Sequence, residues 1–170
     1  MSCDRQTGTV WIGDVGDWGT ESREEISLVV KGGNCQWPYR EGTHERLPKP
    51  ERLIGSEQPP LYEYRRGNGN RCVIGGHVYR GAEHAAELGG KYIFGDNGSG
   101  RIRSLEFEGV SQPVIRELCT LPQRARNDDG LSSFGMDNSG EIYLCLLGSP
   151  DRPTGDRSSS PPAPMGSSAT

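Results

Sequence analysis

Asp14, Asp17, Glu21, Glu24 and Glu25 fall within one short stretch that is punctuated by Gly13, Gly16 and Gly19. The flanking runs Val10 to Ile12 and Ile26 to Val30 read as strands, and a second glycine turn, Lys31 to Asn34, leads into Trp37 and Pro38. Turns of this kind at strand ends offer carboxylate and carbonyl oxygens to a hard cation or to the polar edge of a cofactor. The plain alternative is a set of solvated turn acids. Arg124 and Arg126 make a second constellation. On an extended strand, side chains two residues apart point the same way, so the pair could clamp a carboxylate. Beside Asp128 and Asp129 it reads equally as a solvated charged loop.

Other chemistries find less support. His44, His77 and His84 are the histidines available as a general base near neutral pH. His44 and His84 read as exposed loop residues and His77 as a packing residue. No GxSxG elbow and no GxxxxGK phosphate loop occurs. The five cysteines, Cys3, Cys35, Cys72, Cys119 and Cys145, are far apart and form no CxxC pair, which argues against zinc or redox motifs. They read as isolated, half-buried thiols, with one or two disulfides as the alternative in an exported protein.

The elements that must position these residues are short strands. The 170-residue chain is long enough for one domain, and its 25 glycines favour tight turns over helices. A net charge of −4 with both signs interspersed leaves no basic stripe for nucleic acid. No run of ~18 apolar residues suggests a membrane span. The first residues lack the pattern of a signal peptide.

A recurring form supports an all-β reading. Asp4, Asp96 and Asp137 each precede a Ser/Thr/Gly turn that opens into a β-rich segment. The aspartate can cap such a turn while glycine takes the positive φ. The intervals fit, loosely, the ~40–45-residue period of a four-stranded propeller blade. Further strands are expected at 61–64, 73–80, 91–94, 101–107, 114–118, 131–134 and 141–147, with a short helix or turn at 83–88. Residues 39–60 read as a long loop with four prolines. Residues 149–170 are Ser/Pro-rich and read as a disordered tail.

Several segments, taken in order, resemble the glucose/sorbosone dehydrogenase family of soluble aldose sugar dehydrogenases that depend on pyrroloquinoline quinone (PQQ). They are GDVG at 13–16, EEI at 24–26, KGGN at 31–34, WP at 37–38, GGHVYRG at 75–81, KYIFGDNGSGRI at 91–102 and SSFGMDNSGEIYL at 132–144. The resemblance implies a partial six-bladed β-propeller over residues 1–148, with about three four-stranded antiparallel blades, matching the C-terminal half of such proteins.

The resemblance also implies chemistry: oxidation of an aldose hydroxyl, with hydride transfer to PQQ held beside calcium. On the family's pattern the carbonyls of Gly16 and Asp17 face the cofactor's calcium, and Arg124 and Arg126 hold PQQ carboxylates. A calcium-binding pair falls at Glu25, through its carboxylate, and Cys35, through its backbone carbonyl. The catalytic histidine belongs to the N-terminal blades, so this chain carries no catalytic residue of its own and needs those blades to close the ring. The implied partner is a small sugar, and the implied location is periplasmic or extracellular.

The family often has a cofactor-facing lysine where Gly98 stands here, with Lys91 or Arg101 as possible replacements. That departure favours a second reading, a non-catalytic propeller resembling the hedgehog-interacting branch of the superfamily, built for protein recognition.

Overall fold

A computed structural model describes residues 1–19, 21–109, 112–122 and 130–147. In chain order the strands are β1 (Ser2–Cys3), β2 (Val10–Asp14), β3 (Arg23–Leu28), β4 (Gly33–Asn34), β5 (Arg40–Glu41), β6 (His44–Glu45), β7 (Ser56–Glu57), β8 (Tyr62–Arg65) and β9 (Val73–Val78). One helical turn, α1 (Ala85–Leu88), precedes β10 (Tyr92–Asp96), β11 (Arg101–Glu106), β12 (Val114–Thr120), β13 (Leu131–Met136) and β14 (Ile142–Leu146).

The expected all-β class holds. The first sheet has the order β1-β2-β3-β8 and the second β12-β11-β10-β9, each four-stranded and antiparallel. A third sheet is the β13-β14 hairpin, two strands among the described residues. The expected boundary at 148/149, and Arg124 and Arg126, lie outside those residues.

The three aspartate turns form as their sequences suggest. Gly8, Gly100 and Gly140 take positive φ values of 72°, 69° and 88°. Asp4 and Asp137 accept from backbone N–H groups two residues on, at 3.2 and 2.8 Å. Asp4 and Asp137 link the first and second strands of their sheets, whereas Asp96 links the second and third strands of its own.

Two apolar clusters hold the sheets together. Between the first two sheets, Trp11, Ile26, Val73, Val78, Tyr92, Phe94 and Leu105 are buried. Trp11 stacks on Tyr92 with ring centroids 4.4 Å apart. Close approach requires glycine where β2 crosses β9. A Cβ on Gly13 would lie 2.9 Å from the nitrogen of Gly75. The other cluster joins Tyr79, Ile93 and Ile102 to Leu131 and Phe134 of β13. A Cβ on Gly76 would meet the Ile93 carbonyl and, at 3.1 Å, the Phe134 ring. Gly75 and Gly76 therefore let β9 pack against a neighbour on each face.

Polar groups lock the same interface. Glu24 and Asp96 are fully buried. Glu24 accepts from the Val73 nitrogen and from Arg66 Nε, both at 2.7 Å. Asp96 accepts from Tyr64 Oη at 2.9 Å and from the nitrogens of Arg71, Cys72 and Ser99. Buried carboxylates without such partners would be strongly destabilising.

Among the described residues, no helix is long and apolar enough to cross a membrane. No disulfide forms among the five cysteines. Cys3, Cys35, Cys119 and Cys145 are exposed and only Cys72 is partly buried, so the expectation of half-buried thiols fits one of them.

Candidate cation site on the first sheet

Strand β3 starts at Arg23, earlier than its apolar run suggests, because its two faces have different covers. Glu24, Ile26 and Leu28 face the second sheet, while Arg23, Glu25 and Ser27 alternate onto the opposite face. The segment from β4 to β7, expected to be loop alone, contributes short strand pairs, β5 with β6 and β4 with β7. Residues of this segment cover the polar face.

On that face Asp14, Glu25 and Glu63 stand in register across β2, β3 and β8. Like charges directly opposite one another repel. Burial first, and then the charges of Asp14, Glu41 and Glu63, push the Glu25 carboxyl up to about 7, although it gains a hydrogen bond from the Gly42 N–H. Asp14 is raised by partial burial and by Glu41. Cys35 lies within the same field. Partial burial and then the charges of Glu25 and Asp14 raise its thiol, although the residue as a whole is exposed. Glu25 and Cys35, paired by the family pattern, thus share one electrostatic neighbourhood.

Countercharge comes from Arg23, which is 5% exposed. Its Nε is 3.6 Å from Glu63 and its Nη2 donates to His44 Nε2 at 2.9 Å. Its Nη1 is buried without a partner. His44 is exposed, as expected, but sits on β6 against Arg23. Thr43 gives its N–H and hydroxyl to Glu63 at 2.7 and 2.9 Å.

The turn carrying Gly16 and Asp17 is held from three sides. Glu41 Oε1 accepts from the Asp17 nitrogen and the Arg23 nitrogen, both at 3.0 Å. Arg66 Nη2 donates to the Gly16 carbonyl at 2.9 Å. Arg46 pairs with the Asp17 side chain at 2.6 Å, and Ser22 donates to the Asp17 carbonyl. Each of the two carbonyls already accepts one hydrogen bond, which leaves each a second lone pair.

Among the described residues, no group of three or more His, Cys, Asp or Glu side chains is arranged to hold a metal ion. A cation here would therefore combine carboxylate with carbonyl or water oxygens, as calcium does.

The 75% of the chain that aligns with a known protein gives a distant likeness. The chain resembles the HIPL1 protein of Arabidopsis thaliana. The two are 27% identical over 154 residues, covering 22% of that protein. The chain thus spans about a fifth of the length of this relative. No family model matches the chain. No solved structure matches it.

The remaining candidates fall elsewhere. A Cβ on Gly98 would lie 2.5 Å from the Gly69 carbonyl and 2.8 Å from Arg71 Cβ, so a lysine there would displace the turn. Lys91 pairs with Glu106 at 3.3 Å and Arg101 with Glu117 at 3.4 Å. His77 is half-buried on β9, its Nδ1 without a partner.

Sequence reasoning missed Glu41 and Glu63. The strand pattern Leu61-Tyr62-Glu63-Tyr64 could have flagged Glu63 as an acid on a polar sheet face. No local signal marks Glu41, whose partners lie 24 and 18 residues away.

Proposed function

We propose that this chain is the calcium-holding portion of a PQQ-dependent sugar dehydrogenase of the glucose/sorbosone dehydrogenase type, built as a partial β-propeller. The observation that carries the reading is the row of Asp14, Glu25 and Glu63, exposed at Asp14 and partly buried at Glu25 and Glu63, with Cys35 in the same electrostatic field. Carboxylates so placed repel one another, and a divalent cation held by Glu25 together with carbonyl or water oxygens would offset that cost.

In this reading Glu25 holds calcium through its carboxylate and Cys35 through its carbonyl. Gly16 and Asp17 present carbonyls to the cofactor's calcium, kept in place by Glu41, Arg66 and Arg46. When bound, PQQ supplies a quinone that accepts hydride from the C1 hydroxyl carbon of an aldose. Arg124 and Arg126 would neutralise its carboxylates. The base that takes the hydroxyl proton comes from blades outside this chain.

A second reading, a non-catalytic recognition propeller, is favoured by the glycine at position 98 and its lack of room for lysine. Reconstitution separates the two. Calcium and PQQ are added to this chain and to a form extended upstream, and dye reduction is followed with an aldose. Activity in the extended form alone supports the dehydrogenase reading. A folded extended form that takes up no PQQ supports the recognition reading.

A further inference from the structure

The three tryptophans are placed in two ways. Trp11 is buried and stacked on Tyr92 between the sheets. Trp18 is 93% exposed and Trp37 58%. An exposed indole leaves a large apolar area in water, which is costly unless a ligand covers it.

Both exposed rings are built against the turn between β2 and β3. The Arg46 guanidinium lies over Trp37, 4.6 Å from the ring centroid, and that of Arg66 over Trp18 at 5.7 Å. Each arginine is itself fixed. Arg46 gives Nε and Nη2 to Asp17 Oδ2 at 3.1 and 2.6 Å. Arg66 gives Nε to Glu24 at 2.7 Å and Nη2 to the Gly16 carbonyl at 2.9 Å. The Trp18 backbone N–H in turn donates to Asp17 Oδ1 at 2.7 Å. In order of contact the surface runs Trp37, Arg46, Asp17, Trp18, Arg66, so an ion pair stands between two aromatic plates.

The charges decide what covers those plates. A protein partner that dried this surface would have to desolvate the pair of Arg46 and Asp17. For a single-stranded nucleic acid the arginines are already paired with acids, Arg46 with Asp17, Arg65 with Glu21 and Arg66 with Glu24, which leaves little positive field for phosphates. A pyranose avoids both costs. Its axial C–H groups stack on an indole. Its equatorial hydroxyls give and accept hydrogen bonds at a guanidinium and a carboxylate that stay wet.

We propose that Trp18 and Trp37 form a glycan-binding surface that takes an oligosaccharide, with pyranose units stacked on both indoles and hydroxyls on Arg46 and Asp17. Binding there needs no cofactor. The surface adjoins the Gly16 and Asp17 carbonyls, and one consequence rests on the dehydrogenase reading: the sugar oxidised is the end of a longer glycan and not a free aldose.

The test is calorimetric titration of the full chain, without calcium or PQQ, with glucose, maltohexaose and cellohexaose, alongside tryptophan fluorescence. At least one hexasaccharide is expected to bind saturably, about tenfold or more tighter than glucose, because it reaches both plates. Emission should shift to shorter wavelength as Trp18 and Trp37 lose water. Trp18→Ala and Trp37→Ala, both at exposed positions, are each expected to weaken binding by about tenfold, and Trp18→Phe, which keeps a plate, by less. No saturable binding of either hexasaccharide by the folded chain, glucose binding as tightly as the hexasaccharides, or binding unaltered in both alanine variants overturns the proposal. So does self-association of the wild type in sedimentation that Trp18→Ala abolishes, since the surface is then a contact between copies. With no PQQ present, failed reconstitution leaves this result untouched, and failure here leaves the cofactor reading standing.

Discussion

Asp14 and Glu25 stand directly opposite each other in the β2-β3 ladder, with Glu63 next in line on β8. The mutual repulsion of such a row opposes folding, offset in part by Arg23 at 3.6 Å from Glu63. Without calcium, Glu25→Gln is expected to raise thermal stability at neutral pH by about 1 kcal/mol, after discounting for solvent screening. Thermal melts in chelator and in calcium check this, because calcium should stabilise the wild type and leave the variant unchanged.

Glu41 should act as an acceptor more than as a charge. Glu41→Ala leaves the N–H groups of Asp17 and Arg23 without their partner and is expected to cost about 1–3 kcal/mol. Glu41→Gln keeps an oxygen that can accept both and should stay close to the wild type. Chemical denaturation of the three proteins distinguishes the roles.

The crossing of β2 over β9 leaves no room for a methyl group at Gly13, whose Cβ would lie 2.9 and 3.0 Å from Gly75 backbone atoms. Gly13→Ala is expected to separate the sheets and cost about 1–3 kcal/mol. Loss of near-ultraviolet signal from the stacked Trp11 and Tyr92 would report the same movement.

Much of the strand framework was legible because its signals are local. The turns at Asp4, Asp96 and Asp137 need only a capping oxygen and a glycine, and both are visible in sequence. The start of β3 was not. Arg23, Glu24 and Glu25 read as a polar turn because two covers, the second sheet on one face and residues 33–57 on the other, come from distant segments. Glu25 and Cys35 were named through a family likeness, and the structure brings them into one field. Glu41 and Glu63 became visible only through tertiary contacts.

Asp4 gives the clearest pH dependence. Arg80 binds its carboxylate at 2.7 and 3.0 Å and, as the largest cause, lowers its pKa to about 2. The folded pKa lies below the unfolded one, so the pair stabilises above pH ~4 and the gain is lost as pH falls toward 2. Asp4→Asn is expected to melt lower than the wild type at pH 7, by about 1 kcal/mol, with the gap closing near pH 2.

The most direct test of the calcium reading is calorimetric titration of calcium into chelator-treated protein, for the wild type and Glu25→Gln. Saturable binding by the wild type, lost in Glu25→Gln while the variant stays folded, is the predicted result. Absence of binding by the folded wild type, or equal affinity in both proteins, would contradict it.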